Sequence, residues 1–131
     1  RRRSPDGSRT GCLLNDDAGI VQLWTVAPTG GPPRQVTRNA ADIQTTFTWS
    51  PDGHLVAYGM EGEVFVTEVD RGRSYRLTRS TRGAIHRSAV VFSPDGKKIG
   101  FLREMPAGAR RFLQVFTVTV PATLRPGSAL P

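Results

Sequence analysis

The tetrapeptide Ser50-Pro51-Asp52-Gly53 decides the fold, because it occurs twice more in this chain of 131 residues. The other copies are Ser4-Pro5-Asp6-Gly7 and Ser93-Pro94-Asp95-Gly96, so successive copies start 46 and 43 residues apart. Pro presets φ at the second position of a turn, Ser and Asp bond nearby backbone, and Gly accepts a positive φ. The motif therefore predicts three tight turns in an internal repeat, with the Asp residues as turn formers rather than catalytic acids.

The sequences around the turns repeat as well. An apolar stretch follows each turn, and a second apolar stretch comes later, at residues 21–26, 64–69 and 113–118. An aromatic residue occupies the same slot of each second stretch, as Trp24, Phe65 and Phe116. Two units continue with a short basic segment ending in Thr, at residues 34–37 and 75–78. Each unit thus predicts four short strands, and a period of about 40–45 residues favours a β-propeller.

The predicted fold class is all-β, a β-propeller segment of about three four-stranded antiparallel blades that form an incomplete ring. A partial propeller is expected over residues 1–120, with blade repeats at about 4–45, 46–88 and 89–120. Residues 121–131, rich in Pro, Ala and Gly, are expected to be a tail or linker. Nothing strand-like precedes Ser4, so the first unit is expected to lack its innermost strand. The chain is interpreted as a fragment of a longer protein.

Strand periodicity predicts how the blades pack. In residues 63–69, Val64 and Val66 point to one side of the strand, and Phe65 and Val69 point to the other. Both sides are apolar, so both must be covered, and stacked blades do this. The aromatic slot is therefore expected to lie in the core between blades. The third unit is expected to carry a long loop over residues 103–111, with Pro106 and Gly108 inside it.

Composition excludes several classes of protein. No apolar run approaches the roughly 18–20 residues of a transmembrane helix, and no apolar segment typical of a signal peptide follows the first three arginines. The single cysteine, Cys12, excludes an intrachain disulfide and is expected to be a buried small hydrophobe. The net charge of +7 results from 16 Arg and 2 Lys, mostly scattered, against 11 Asp and Glu. A solvated surface is therefore favoured over nucleic-acid binding.

The repeat resembles that of TolB-type β-propellers, which are WD40-like. The resemblance is carried by Trp49-Ser50-Pro51-Asp52-Gly53, followed later by Arg76-Leu77-Thr78, and by the segment from Phe92 to Ile99. It covers about residues 4–120. A longer string over residues 16–44 is similar to the C-terminal part of an uncharacterised family of bacterial TolB-like propeller proteins. That family has no assigned activity to transfer to this chain.

Four polar residues are candidates for a ligand-binding rim. In a propeller, the connection between successive blades lies at the mouth of the central channel. Asp42 and Gln44 lie on one such connection, and His86 and Arg87 lie on the next. Aligning Trp49 with Phe92 places Gln44 opposite Arg87 and His86 opposite Ile43. The other histidine, His54, follows a turn and is expected to face solvent.

The favoured function is a non-catalytic scaffold or binding module for a protein or a small ligand. No catalytic residue, metal ligand or cofactor is predicted, and residues 15–17 are interpreted as a hairpin turn rather than a calcium site. The alternatives are a channel-mouth enzyme resembling oligogalacturonate lyase, or a propeller that gates a hydrolase domain outside this chain. The expected partners are further blades of a longer chain or further copies, and possibly another protein. Cytoplasm and periplasm are both left open.

Overall fold

The structure, a computed structural model, describes residues 1–79 and 84–124, and only the backbone of residues 84 and 86–89. The described chain forms three antiparallel sheets in sequence order. Sheet 1 contains β1 (Arg2–Arg3), β2 (Thr10–Asn15), β3 (Val21–Val26) and β4 (Arg34–Gln35). Sheet 2 contains β5 (Thr48–Trp49), β6 (Leu55–Met60), β7 (Glu63–Glu68) and β8 (Arg73–Arg76). Sheet 3 contains β9 (Ala84–Phe92), β10 (Lys98–Ala107) and β11 (Arg110–Thr119), and a 3₁₀ helix, Ala122–Leu124, follows.

Sheet 2 lies between the other two sheets and is covered on both faces. All six residues of β6 are buried. Val56 packs with Leu23 of sheet 1 in one core cluster, and Val64 packs with Ile99 of sheet 3 in the other. Phe65 contacts the first cluster, so the predicted alternation along β7 is confirmed. Burial of each such side chain stabilises the stack by about 1.5–3 kcal/mol.

The three Ser-Pro-Asp-Gly turns share one set of hydrogen bonds. In the second turn, Ser50 Oγ donates to Asp52 Oδ1 at 2.6 Å, and the same oxygen accepts from His54 N at 2.9 Å. Leu55 N donates to Ser50 Oγ at 3.0 Å. Gly53 has a φ of 76°, which a side chain would strain. The corresponding atoms of the other two turns make the same bonds, so each turn reverses an inner strand into the next one.

The turns also contact one another along one end of the stack. A Cβ placed on Gly53 would lie 3.8 Å from Pro5 Cδ, and one on Gly96 would lie 3.6 Å from Pro51 Cδ. Each proline therefore lies against the glycine of the following turn. The hairpins that join β2 to β3, β6 to β7 and β10 to β11 are at the opposite end of the sheets.

The expectation that the first unit lacks an innermost strand is wrong. Arg2 pairs with Gly11 and Arg3 pairs with Thr10, which makes β1 the first strand of sheet 1. Trp49 Nε1 of sheet 2 donates to the carbonyl of Arg2 at 3.0 Å and fixes this strand. Ladder hydrogen bonds use backbone groups, so arginines can form an inner strand that sequence patterning does not reveal.

The expected loop over residues 103–111 is also wrong. The two strands continue in register until Ala107 pairs with Arg110, and only two residues turn between them. Gly108 begins this turn with a φ of 63°. Pro106 is tolerated in β10 because the described pairing with β9 ends at Glu104, so no strand among the described residues on that side needs its missing N–H. The third hairpin is therefore a long two-stranded ribbon.

A buried ion pair joins sheets 2 and 3. Arg103 Nη2 lies 2.6 Å from Glu63 Oε1, and the two side chains are 2% and 4% exposed. Arg103 also donates to the carbonyl of Gly62 at 2.7 Å. Glu63 further contacts Arg76 at 3.2 Å and accepts from Thr78 Oγ1 at 2.8 Å. These bonds compensate for removing two charges from water.

At the interface between sheets 1 and 2, neutral side chains occupy the two positions that Arg103 and Glu63 hold at the second interface. Counted from the Ser-Pro-Asp-Gly turns, Met60 occupies in sheet 2 the position of Arg103 in sheet 3. Counted from the aromatic slot, Gln22 occupies the position of Glu63, and Gln22 Oε1 accepts from Thr37 Oγ1 at 2.6 Å. A buried ion pair is thus found only at the second of these two interfaces, because the ion pair that joins sheets 1 and 2, Arg9 Nη1 to Asp70 Oδ1 at 2.7 Å, is partly exposed at the turn end.

We predict that Arg103→Met destabilises the chain by about 3–5 kcal/mol, because Glu63 stays buried with a weaker set of partners. The double substitution Glu63→Gln with Arg103→Met copies the first interface and should recover most of that loss. Urea denaturation measures both. Arg111→Met is the matched control, since Arg111 and Glu104 form an exposed pair at 3.6 Å that is worth about 0–1 kcal/mol. A double variant no more stable than Arg103→Met would contradict the prediction.

The hydrogen bonds of the first turn predict that its contribution to the stability of the fold depends on pH. Hydrogen bonds from Ser8 N, Ser8 Oγ and Ser4 Oγ lower the pKa of Asp6 from its ordinary 3.8 to about 2. Because the pKa of Asp6 is lower in the folded chain, the stabilisation that its carboxylate provides is fully present at pH values above the ordinary pKa. It is lost as the pH falls through about 2. Ser8→Ala should raise the pKa of Asp6, measured by NMR titration of its carboxyl carbon. An unchanged Asp6 midpoint would contradict the assignment of these hydrogen bonds, and the midpoint of Asp95 should not move.

Candidate functional site

Asp42 and Gln44 lie on a connection that crosses from sheet 1 to sheet 2 at the hairpin end of the stack. Asp42 Oδ1 accepts from the first amide of β3, Val21 N, at 2.8 Å, and Ile43 N donates to the Val21 carbonyl at 3.1 Å. Gln44 N donates to the carbonyl of Gly59 in β6 at 2.8 Å. The backbone is therefore held at both sheets, while the Asp42 and Gln44 side chains are exposed.

Gly59 brings the two predicted connections together. Its N–H donates to Thr45 Oγ1 at 2.7 Å. A Cβ on this residue would lie 2.5 Å from Thr45 Cγ2 and 3.3 Å from Ile85 Cγ2. Only glycine fits where the first connection meets β9. The segment of Gln44 and the segment that begins at Ile85 thus converge on one residue of β6.

His86 and Arg87 lie in a bulge of β9. Val90 pairs with Phe101 and Ile85 pairs with Arg103, so four residues of β9, numbers 86–89, stand opposite Leu102 alone. Bulges bend a strand and redirect its side chains, and they are common beside binding sites. The side chains of His86 and Arg87 lie outside the described residues, so their distances to Asp42 and Gln44 are not part of this geometry.

The alignment that placed Ile43 opposite His86 is wrong by one residue. Ile43 is buried in the core between sheets 1 and 2, and Ile85 packs against the core between sheets 2 and 3. The two isoleucines hold equivalent places, which puts Gln44 opposite His86. The bulge in β9 causes the shift, because an ungapped alignment cannot include its extra residue.

The other candidate residues from the sequence, Asp16, Cys12 and His54, make contacts within turns or within the core. Asp16 Oδ1 accepts from Ala18 N and Ile20 N, each at 2.9 Å, and the bond from Ile20 leads the causes that lower the pKa of Asp16. Cys12 is buried, with its sulfur 3.8 Å from the carbonyl oxygen of Trp24. His54 has a half-exposed side chain 3.7 Å from Asp70 at the turn end of the stack.

The three residues of the aromatic slot have two different environments. Phe65 and Phe116 pack against the core clusters, as the sequence predicted. Trp24 is half-buried on the face of sheet 1 that points away from sheet 2, and its Nε1 donates to the Leu14 carbonyl at 3.0 Å. The described residues place no further sheet against that face.

Sequence reasoning missed Gly59, Thr45 and the pair of Glu63 with Arg103. The signal for Gly59 was a glycine inside an otherwise apolar strand, which indicates a close approach of another segment. The signal for Arg103 was a charge in register with the inward residues Ile99 and Phe101. A charge at an inward strand position requires a buried partner.

Among the side chains that the structure describes, those of residues 1–79, 85 and 90–124, no group of three or more His, Cys, Asp or Glu is arranged to hold a metal ion. In the same part of the chain, no helix has the length and apolar character needed to cross a membrane.

Stacked antiparallel sheets that follow one another along the chain define a segment of a β-propeller. Its structural neighbours are TolB-type propeller proteins, and the predicted fold class and resemblance are confirmed. The structure of TolB from Acinetobacter baumannii matches with a TM-score of 0.65 and 20% identity, over 91% of this chain and 31% of that one. A putative TolB from Agrobacterium tumefaciens gives 0.65 and 25%, over 86% and 40%. An oligogalacturonate lyase in complex with manganese gives 0.66 and 14%, over 80% and 28%.

Two curated bacterial relatives match as well. The uncharacterized protein YidR of Escherichia coli is 38% identical over 101 residues, which are 77% of this chain and 24% of that protein. The uncharacterized protein Atu1656 of Agrobacterium fabrum is 32% identical over 102 residues, which are 75% of this chain and 33% of that protein. The chain therefore spans about a quarter to a third of these relatives. No family model matches the chain.

The two rim residues with described side chains should respond differently to truncation. Asp42→Ala removes the acceptor of Val21 N and should cost about 0.5–1.5 kcal/mol of stability. Asp42→Asn keeps an acceptor oxygen and should recover much of this. Gln44→Ala should stay within about 0.5 kcal/mol, since only its backbone is bonded. Urea denaturation of the three variants measures this, and an Asp42→Ala variant as stable as Gln44→Ala would contradict it.

Proposed function

We propose that the chain is part of a β-propeller that acts as a non-catalytic binding module for a protein or a small ligand. The partial propeller comprises residues 1–120, in blade repeats of about 4–45, 46–88 and 89–120, and residues 121–131 form a tail or linker. The ligand contacts the rim formed by Asp42, Gln44, His86 and Arg87. Further blades, from a longer chain or further copies, complete the ring.

The proposal is supported by the connection between sheets 1 and 2, whose backbone is hydrogen-bonded to both sheets while its polar side chains are exposed. The connection of Asp42 and Gln44 is bonded to β3 at Val21 and to β6 at Gly59. Its two polar side chains nonetheless face solvent. A site whose backbone is already ordered loses less entropy when a ligand binds. Function in such folds is commonly found in segments that a rigid framework positions.

The residue types favour a ligand with both donors and acceptors. A carboxylate accepts hydrogen bonds, an amide does both, and an imidazole changes its role with protonation. Arg87 adds a guanidinium that suits a carboxylate or another planar anion. A small polar molecule with an acidic group, or an acidic segment of a protein, fits this set.

The test is a binding screen by ¹⁵N NMR on the full chain, with oligogalacturonate and a set of small carboxylates and amides. A ligand that shifts the amides of Gln44 and His86 should bind about tenfold more weakly to His86→Ala or Arg87→Gln, the loss expected for one charge-assisted bond. His54→Ala and Arg71→Gln are the matched controls, because both residues lie at the turn end and should leave binding unchanged.

Two results would contradict the proposal. Turnover of oligogalacturonate that disappears in His86→Ala would replace the binding module with an enzyme. Ligands that perturb only the amides of the turn end, around His54 and Arg71, would move the site away from the rim.

A further inference from the structure

We propose that an open cleft at the outer corner of sheet 1 binds a free α-amino acid and prefers a basic one. The carboxylate of Asp17 accepts hydrogen bonds from the α-ammonium group, and the guanidinium of Arg38 binds the α-carboxylate. The cleft lies between the hairpin that joins β2 to β3 and residues 35–39. It shares no residue with the rim, so the proposal stands without the binding module described above.

The cleft exists because the first hairpin is longer than the second. Leu14 and Met60 each follow the serine of their turn by the same interval, and Gln22 holds the position of Glu63. Residues 15–21 separate the two positions in sheet 1, whereas only residues 61–62 separate them in sheet 2. The additional residues form one wall of a cleft of about 310 Å³. This volume suits a ligand of the size of an amino acid.

Hydrogen bonds hold both walls of the cleft. On the hairpin, Asp16 N donates to the Ile20 carbonyl at 2.8 Å, and Asp16 Oδ1 accepts from Ala18 N and Ile20 N. On the other wall, Asn39 N donates to Gln22 Oε1 at 3.0 Å. A site whose walls are already ordered loses less entropy when a ligand binds.

The buried side chain of Gln22 joins the two walls and has no bond left for a ligand. Its Nε2 donates to Asp16 Oδ2 at 3.0 Å and to the Asn39 carbonyl at 2.8 Å. Its Oε1 accepts from Thr37 Oγ1 at 2.6 Å and from Asn39 N. An amide side chain offers two N–H donors and an oxygen with two lone pairs, and all of these are used. Recognition therefore depends on the exposed groups of the walls.

Two opposite charges on these walls are available to a ligand. Asp17 and Arg38 both line the cleft and are both exposed. Neither makes an ion pair or a hydrogen bond with any residue that the structure describes. An α-amino acid carries an ammonium for the carboxylate and a carboxylate for the guanidinium. With Asp16, the cleft has two carboxylates and one guanidinium, so a basic amino acid complements its charge better than an acidic one.

Sheet 2 shows that a neighbouring sheet does not cover this corner. Arg76 and Arg79 hold in sheet 2 the positions of Gln35 and Arg38 in sheet 1. Arg76 pairs with Phe65, whose side chain packs against the core between sheets 1 and 2. Both arginines are nevertheless exposed. A sheet stacked on the free face of sheet 1 would therefore leave the cleft open to a ligand.

The experiment titrates the full chain with L-lysine at about pH 6, where α-amino groups are protonated, and follows backbone amides by ¹⁵N NMR. Saturable shifts at Asp17, Ala18 and Asn39 are expected at about millimolar lysine, because water screens charge pairs in an open cleft. L-glutamate should bind at least about threefold more weakly, since the excess of carboxylates in the cleft repels its second carboxylate.

Modified ligands assign each contact. In L-lysinamide a neutral amide replaces the carboxylate, and it should bind the unmodified chain about tenfold more weakly than lysine, the loss expected for one charge-assisted bond. In Arg38→Gln the two ligands should bind within about twofold of each other, because their distinguishing contact is gone. Nα-acetyl-lysine lacks the α-ammonium and should behave in the same way with Asp17→Asn.

Glu61→Gln and Arg71→Gln are the matched controls. They make the same changes of charge at exposed residues that do not line the cleft, so lysine binding should change by less than about twofold. All four substituted residues are exposed, and none of the changes should prevent folding.

Two outcomes would overturn the proposal. In the first, lysine gives no saturable shift at Asp17 and Asn39, or it shifts only the amides of the rim. In the second, lysine and lysinamide differ as much in Arg38→Gln as in the unmodified chain. Failure of the rim would be seen separately, at the amides of Gln44 and His86.

Discussion

The stack depends on one constraint, which is that the strands of sheet 2 are apolar on both faces. A sheet of this kind has no side that can face water, so it folds only between two others. Val56 and Val64 are completely buried on opposite faces. The same rule accounts for the surface of sheet 3, where Val91 and Val115 are more than half exposed because the described residues leave its outer face uncovered. The turns fix the direction of the chain, but stacking provides the stability.

The interfaces between neighbouring sheets have the same backbone arrangement, and they differ in their buried polar groups. Thr37 and Thr78 place a hydroxyl against the third strand in the same way in both complete sheets. The acceptor beside it is a neutral amide in sheet 1 and a carboxylate in sheet 2. Only the carboxylate is matched by an arginine from the neighbouring sheet. A repeat that is nearly uniform in its apolar residues therefore distinguishes its interfaces through a few buried polar ones.

The candidate site could be predicted in part. The sequence located the two connections, because a turn motif at regular spacing defines where each unit begins and therefore what lies between units. It did not give the role of Asp42, whose carboxylate holds the first amide of β3. It also misplaced His86 by one residue, because a bulge adds residues without altering the apolar pattern on either side. A bulge of this kind cannot be recognised from the types of amino acid in the strand.

The sequence by itself determined the all-β class, the number of repeating units, the turns and the inward side of each strand. These follow from local rules: Pro and Gly fix turn geometry, and a period of two sorts side chains to opposite faces. Tertiary structure alone decided that Arg2 and Arg3 form a strand, that residues 103–111 form a ribbon, and that Arg103 meets Glu63. Each depends on a partner distant along the chain, and the pairing energy comes from backbone groups or burial that local patterns do not encode.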